Sequence, residues 1–288
     1  FANSAPDASA EEREALMAEI GITAVDTYTL EVKVNNASVA FDYVLGMWLT
    51  SAQPSWAIEE YAEFWIEPEN IQTYGPFALK EWVHEESLTM IKNPFWAGTE
   101  QIPAPKIDEV VFRFLDEEPQ LAAFEAGELD VAEVPSSQID RVLADANLST
   151  GYASSFGTCT YYYGFNVRIE PFNDPRAVLA FSMAIDRQAI VDNITQAGEI
   201  PAGLFTLPIL NAAPKQEDYP EIAVMSDAEA AKALWDEYLA ETGKSASDFT
   251  LNILHNTSDL HASIAQAAQE MWNSTLGVNV TISSQDFG

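Results

Sequence analysis

A mixed α/β fold is predicted by three features of the 288-residue sequence. Apolar and polar residues alternate in short runs such as 28–34 and 110–114, as they do in half-buried strands. Other runs repeat apolar residues at helical spacing behind capping residues, for example after Asp174-Pro175. Near the end, an alternating run (249–253), an apolar helical stripe (264–272) and a second alternating run (278–282) follow one another. That order is typical of a strand–helix–strand unit with parallel strands and a right-handed crossover.

The remaining elements of the first half follow from the same patterns. Residues 10–20 are predicted to form a helix, and residues 74–76 (Tyr-Gly-Pro) a turn. Alternation at 88–90 predicts one more strand beside the one at 110–114. A helix at 120–126 is expected to end at Gly127 and to be followed by a strand at 129–131.

The second half is predicted to be richer in helix. Asp174 is expected to cap one helix and Asp186 the next, which Gly198 ends. Ser226 and Glu229 form a plausible capping box for a helix through 234–238.

The charge of the chain narrows the choice of partners. Asp and Glu number 45 against 13 Lys and Arg, which gives a formal charge of −32. Such a surface repels phosphate backbones and anionic lipid, so nucleic-acid binding is not expected. The acidity is interpreted as a solvated coat that maintains solubility, and attraction of cationic ligands is the alternative. No apolar run reaches the length of a bilayer span.

No catalytic, cofactor or metal motif is found in the sequence. His255 and His261 are six residues apart, which does not place them on one helix face as a zinc pair requires. No phosphate loop, nucleophile elbow or paired-cysteine motif occurs. The single cysteine, Cys159, lies in an alternating run (157–163) that is predicted to be a buried strand, so a structural thiol is favoured over a nucleophile. The chain is therefore predicted not to be an enzyme and to carry no cofactor.

Three stretches resemble one family. They are Tyr74-Gly75-Pro76-Phe77-Ala78-Leu79-Lys80-Glu81-Trp82 with Lys92-Asn93-Pro94-Phe95-Trp96 and Ile107-Asp108-Glu109-Val110; Ala126-Gly127-Glu128-Leu129-Asp130-Val131; and Tyr163-Gly164-Phe165-Asn166 with Pro171-Phe172-Asn173-Asp174-Pro175-Arg176 and Ala184-Ile185-Asp186-Arg187. In this order they resemble the extracytoplasmic solute-binding proteins of the peptide/nickel-binding class, family 5. The Cys-Thr-Tyr-Tyr-Tyr run at 159–163 and the stretch 256–261 are similar to the oligopeptide-binding members that serve ABC importers.

The resemblance implies an architecture and a function. The fold is expected to be α/β and two-lobed, of the class with an extra domain, and to be incomplete at both ends in this chain. Residues 1–72 are assigned to the rest of the extra domain and its link to lobe I, 73–168 to part of lobe I, and 169–288 to the first part of lobe II. The protein is expected to bind extended peptides between the lobes and to deliver them to an ABC import permease, as a monomer.

The same resemblance implies an extracytoplasmic location. The protein is expected to be periplasmic or at the cell surface, free or attached by a lipid anchor, with its signal peptide outside this sequence. Another solute of the class, a dipeptide, nickel chelate or oligosaccharide, is the nearest alternative ligand, and a hydrolase is a more distant one.

Individual site residues also come from the resemblance. Tyr162 matches a tyrosine that lines the cleft, His261 a histidine near the peptide carboxylate, and Phe287 a tryptophan wall of a side-chain pocket. Two alternatives to these roles are kept. Tyr162 could be an ordinary core tyrosine, and His261 could simply lie near the start of a helix. Thr195 stands where relatives have a lysine that reaches the carboxylate, which puts that contact in doubt. Cys159 is expected to be half of a disulfide whose other cysteine lies outside this sequence.

The implied incompleteness leads to one further expectation. The chain alone is predicted not to be an autonomous folding unit, because its sheets would keep open edges and bare core faces. Apolar exposure is expected around Cys159 and along 278–282.

Overall fold

The computed structural model describes residues 9–155 and 157–286, and the chain divides into two compact units between Arg113 and Phe114. Both units contain helices and strands, which confirms the predicted mixture of α and β structure. The division does not coincide with the predicted lobe boundary at 168/169. The assignment of residues to lobes stays a prediction.

The first unit combines short helices with two antiparallel sheets. Its elements are α1 (Ala10–Ala18), β1 (Ile22–Asp26), β2 (Thr29–Val32), α2 (Phe41–Leu45), α3 (Ser55–Tyr61), β3 (Phe77–Val83), β4 (Ser87–Lys92) and β5 (Glu109–Arg113). Strands β1 and β2 pair with each other, and β3, β4 and β5 form a meander with Leu88 opposite both Trp82 and Phe112. The predicted strands around 88–90 and 110–114 are therefore confirmed.

The second unit is richer in helix, as predicted. Its elements are α4 (Glu117–Glu125), α5 (Ile139–Ala144), α6 (Pro175–Met183), α7 (Arg187–Ile190), α8 (Ala228–Thr242), β6 (Thr250–Asn256), α9 (Asp259–Leu276) and β7 (Asn279–Gln285). Strands β6 and β7 are parallel and in register from Thr250↔Asn279 to Asn256↔Gln285, which confirms the predicted strand–helix–strand unit. Gly277 ends α9 in the left-handed region at φ +69°, where an L side chain is strained.

An aromatic core holds the second unit together. The Phe181 ring is fully buried and lies within 5.5 Å of the rings of Phe172, Trp235 and Trp272. The Trp272 indole N–H donates to the Phe181 carbonyl at 2.8 Å, so α9 is fixed to α6 by a hydrogen bond as well as by packing. Phe165 also contacts this core, although its segment was assigned to lobe I.

The helix starts of the second unit are mostly as predicted. Asp174 caps α6 by accepting from the Arg176 amide, and Asp186 caps α7 by accepting from the Ala189 amide. The cap of α8 is Asp227 rather than Ser226, because the Asp227 carboxylate reaches the Ala230 amide. After α7 the chain makes a π-helical turn, Val191–Thr195, so the helical segment ends before Gly198.

Two predicted strands are absent. Residues 129–131 and 157–163 form no strand, because neither run has a neighbouring strand to complete a backbone ladder. Cys159 is accordingly exposed rather than buried in a sheet.

The predicted apolar exposure is found at one of its two places. Tyr161 and Tyr162, beside Cys159, are both more than half exposed. Val278 and Val280 are buried, because α9 covers this side of β7. The expectation for 278–282 was therefore wrong.

Candidate ligand-binding site

An extended run, residues 157–165, forms the centre of the site. Among the described residues, its backbone N–H and C=O groups make no hydrogen bond to another backbone group. Side chains hold the run instead: the Thr160 hydroxyl donates to the Phe205 carbonyl at 2.9 Å, and the Ser154 hydroxyl just before the run donates to the Ala197 carbonyl at 2.9 Å. These bonds keep the run beside the segment 197–205 and leave its own peptide groups available.

Tyr162 lies on the exposed side of this run. Its side chain is 64% exposed, so it is not a core tyrosine. Its ring meets the Phe205 ring edge-to-face, with centroids 5.1 Å apart and an interplanar angle of 80°. Phe205 is itself 64% exposed, and the two rings together present an apolar wall.

The neighbouring tyrosines connect the run to the core of the second unit. Tyr161 meets Tyr163 at 5.9 Å, and Tyr163 lies 6.0 Å from Trp272. Partial burial raises the pKa of the Tyr161 hydroxyl above its ordinary value. The pKa of Tyr163 is raised further, chiefly by burial and then by the charge of Tyr161. Both hydroxyls stay protonated at neutral pH.

His261 lies in the first turn of α9, directly after β6. The Ser258 hydroxyl caps this helix by accepting from the His261 amide at 3.4 Å. The imidazole Nδ1 is hydrogen-bonded to the Asn256 side-chain oxygen, and the ring lies 5.1 Å from the Tyr161 ring. The structure thus joins His261 to the extended run through Tyr161 and not through Tyr162.

Thr195 carries no positive charge into this region. The side chain is buried, and its hydroxyl donates to Glu199 Oε2 at 2.7 Å. The Ala197 amide donates to the same carboxylate oxygen at 3.2 Å. Thr195 therefore fixes the turn that leads into the 197–205 segment, and a carboxylate stands where the resemblance implies a lysine contact.

Carboxylates surround the start of α9. Burial raises the pKa of Glu117, at the start of α4, and the charges of Glu133 and Asp259 raise it further. Asp259 is in the same helical turn as His261. The starts of α4 and α9 thus lie close enough for the charges of their carboxylates to interact.

The other candidates from the sequence are not brought to this site. His255 Nδ1 bonds the Asn256 backbone carbonyl at 2.7 Å, and His84 pairs with Glu67 at 3.1 Å within the first unit. Phe287 lies outside the described residues. Within 9–155 and 157–286, no three or more His, Cys, Asp or Glu side chains are grouped to hold a metal ion. Over the same residues, no helix is both long and apolar enough to cross a bilayer.

Three residues of the site were not singled out by the sequence. Asn256 is part of the stretch that resembles oligopeptide-binding proteins, but its bond to His261 spans a strand end and a helix start. Tyr161 was predicted only to be part of a buried strand and was given no role in the site. Phe205 gave no signal, because it lies in a loop without periodicity.

The chain belongs to the bacterial extracellular solute-binding proteins, family 5. The family description "Bacterial extracellular solute-binding proteins, family 5 Middle" matches residues 3–288. The resemblance seen in the sequence motifs is thereby confirmed.

Individual relatives support the same assignment. The chain is 32% identical over 287 residues to the periplasmic oligopeptide-binding protein OppA of Escherichia coli (strain K12). It is 29% identical over 279 residues to the oligopeptide-binding protein OppA of Bacillus subtilis (strain 168). Each match covers 93% of this chain and 49% of the relative, so the chain spans about half the length of the curated relatives it matches.

Solved structures confirm the fold class. A periplasmic oligopeptide-binding protein (OppAIV) from Borrelia burgdorferi matches with a TM-score of 0.77 and 25% identity, over 100% of this chain and 56% of that chain. The murein tripeptide binding protein MppA of Escherichia coli matches with a TM-score of 0.75 and 27% identity, over 93% of this chain and 51% of that chain. The predicted α/β fold of the two-lobed binding-protein class is therefore confirmed.

Proposed function

We propose that the protein binds extended peptides in a cleft between two lobes and delivers them to the permease of an ABC importer. Membership of family 5 and the names of the relatives, several of them oligopeptide-binding proteins, support this function. The protein acts by binding and release and not by catalysis. It works outside the cytoplasm, as a monomer, and takes no cofactor.

The observation that carries the proposal is the free backbone of residues 157–165. An extended peptide that lies along such a run gains main-chain hydrogen bonds as an added strand would, whatever its sequence. The exposed rings of Tyr162 and Phe205 supply an apolar surface beside those peptide groups. Water that bridges the remaining polar groups costs little, so varied side chains can be accommodated.

The residue assignments belong to the same proposal. Tyr162, His261 and Phe287 contact the peptide, with His261 near its carboxylate. Cys159, which is exposed, forms a disulfide with a cysteine outside residues 1–288. Residues 73–168 contribute to lobe I and 169–288 to lobe II, and residues 1–72 form the rest of the extra domain and its link to lobe I.

Calorimetry of the protein produced from its complete reading frame tests the function. A mixed library of short peptides should bind, and the same peptides with N-methylated backbones should bind more weakly because they lack N–H donors. Oligosaccharides and nickel chelates serve as the competing ligands. Binding of a sugar or a chelate in the absence of peptide binding would refute the proposal. Mass spectrometry of the recovered peptide should show it uncleaved.

A variant pair tests the role of the extended run. Tyr162→Ala should weaken peptide binding about tenfold, the effect expected of an aromatic residue at an interface centre. Tyr28→Ala is the matched control. Tyr28 is 96% exposed and lies in the β1–β2 hairpin, to which no role in peptide binding is assigned. Equal affinities of the two variants would remove Tyr162 from the site.

A further inference from the structure

We propose that Asn256 is a positioning residue that holds the proton of neutral His261 on Nδ1, so that the protein takes up one proton on Nε2 when it binds a peptide carboxylate. The inference rests on the proposed function and adds to it a residue and a proton. Its two parts, the tautomer and the proton uptake, are measurable separately.

The geometry around the ring supports the tautomer. The Asn256 side-chain oxygen can only accept, so the His261 Nδ1 bonded to it must carry a hydrogen. Within the described residues, His261 Nε2 has no hydrogen-bond partner. The Tyr161 ring lies against the imidazole at 5.1 Å and limits its rotation. The ring is therefore held with one nitrogen engaged and the other available.

The proton uptake is expected because a neutral imidazole carries only one N–H group. A neutral imidazole has a single N–H, which Asn256 already accepts, and its other nitrogen presents a lone pair. A lone pair and a carboxylate repel each other, so no bond forms until a proton from solvent adds to Nε2. The product is an imidazolium whose two N–H groups donate to Asn256 and to the carboxylate. Imidazoles change charge between about pH 5 and 8, so the uptake falls in a range that is readily measured.

Tyr161 and three carboxyl groups lie on the elements around His261. Tyr161 faces the ring from the extended run, and burial raises the pKa of its hydroxyl, so it keeps its own proton in this pH range. Asp259 lies on the same helix, and Asp286, after β7, accepts from the Thr257 hydroxyl at 2.9 Å. From α4, Glu117 has a raised pKa to which the charge of Asp259 contributes. The variant His261→Gln removes only the imidazole, so it distinguishes proton uptake by His261 from proton uptake by these carboxylates.

Nitrogen-15 NMR of the imidazole rings decides the tautomer without any ligand. His261 should show a protonated Nδ1 and a bare Nε2 at pH 8. His255 is the internal control, because its Nδ1 bonds the Asn256 backbone carbonyl, which side-chain variants keep. In Asn256→Ala the His261 signals should change and the His255 signals should not. A protonated Nε2 on neutral His261 in the unaltered protein would overturn the inference.

Calorimetry in two buffers of different ionisation enthalpy counts the protons taken up. At pH 7–8 the unaltered protein should take up close to one proton with a free-acid peptide and none with its C-terminal amide, and the free-acid affinity should fall by up to about tenfold per pH unit. In Asn256→Ala the neutral imidazole can carry its proton on Nε2 instead of Nδ1 and donate to the carboxylate directly. The proton uptake and the pH dependence of the affinity should therefore both diminish. Asn256→Asp should hold the imidazolium before binding and so remove the uptake as well. His261→Gln should abolish it, and His255→Gln should leave it unchanged.

The outcomes separate the inference from the proposed function. Peptide binding with equal proton uptake for acid and amide, or with unchanged uptake in Asn256→Ala and Asn256→Asp, would refute the inference and leave peptide binding intact. A protein that binds no peptide would refute the proposed function and the proton coupling with it. The tautomer of His261 would still be decided by NMR.

Discussion

The two units of the chain use similar sequence patterns with different results. The second unit buries Phe181, Trp235 and Trp272 in one aromatic core. In the first unit the buried residues among those described are Pro54, Ala57, Thr89 and Asn93, while Tyr28 and Trp48 are 96% and 83% exposed. Both units contain alternating strands, and the first has more paired strands than the second. Strand pairing and amphipathic patterning therefore do not by themselves produce a core.

The comparison is tested most strongly at the two extremes of burial. Phe181→Ala should lower the free energy of unfolding of the second unit by about 3–5 kcal/mol, because it removes a fully buried ring and leaves a cavity. Trp48→Ala, in the first unit, should change stability by less than about 0.5 kcal/mol. Urea unfolding of the protein produced from its complete reading frame, followed by circular dichroism, measures both. Similar losses in the two variants would show that the first unit has a core after all.

The partly buried side chain of Arg187 gives the next largest effect. The Arg187 guanidinium donates to the Ser182 and Met225 carbonyls, and burial lowers its pKa. Arg187→Ala should cost about 1–3 kcal/mol, because it leaves partly buried carbonyls without their donors. Arg187→Lys should recover only part of this loss, since an ammonium cannot reproduce the planar fork. The exposed Arg168→Ala is the control and should be close to neutral in the same unfolding assay.

The end of α9 tests backbone conformation without any loss of contacts. Gly277→Ala should destabilise the second unit by about 1–2 kcal/mol because of its positive φ, since an added Cβ would meet only ordinary contacts. Gly151→Ala, at negative φ and also with ordinary contacts, should have little effect. A Gly277→Ala variant as stable as Gly151→Ala would contradict the assigned cap.

The smallest expected effect depends on pH. Hydrogen bonds from the Arg176 side chain, and then from its amide, lower the pKa of Asp174 in the folded protein. A lowered folded pKa means that the contribution is complete above the unfolded value, near pH 4, and is lost as pH falls through the folded value. Asp174→Asn should keep the cap and remove this pH dependence, while Asp174→Ala should also lose about 1 kcal/mol from the cap.

Unfolding measured between pH 3 and 5 checks this assignment. Asp108→Asn in the first unit is the exposed counterpart of Asp174→Asn. Lys92 lowers the pKa of Asp108, but this carboxylate is exposed and its charge is screened by solvent, so the variant should change the pH dependence of stability less. An equal pH dependence in both aspartates would show that burial does not decide the strength of these pairs.

The elements with local signals were predictable from the sequence. Asp174, Asp186 and Gly277 act within a few residues of themselves, so the helix ends they determine could be predicted. The parallel pairing of β6 and β7 followed from the helix between them.

The site was less predictable, because its contacts join distant segments. The run 157–163 has the alternation of a strand, but a strand also needs a neighbour, and that neighbour is not encoded in the run. The contact of Tyr162 with Phe205 bridges two loops without periodicity. The bond from His261 to Asn256 depends on how the chain turns between β6 and α9. Tyr162 and His261 themselves were found only through the family resemblance.

The hydrogen bond between Trp272 and Phe181 joins residues 91 positions apart in the chain. Closing so long a loop has an entropic cost that must be met before the rings contact one another. The β3–β4 hairpin closes instead across the short turn between Val83 and Glu86, and hairpins form within about 1–10 microseconds. During folding, the β3–β4 hairpin, in which only Thr89 is buried, is thus expected to appear early, and the aromatic core that stabilises most is expected to appear late.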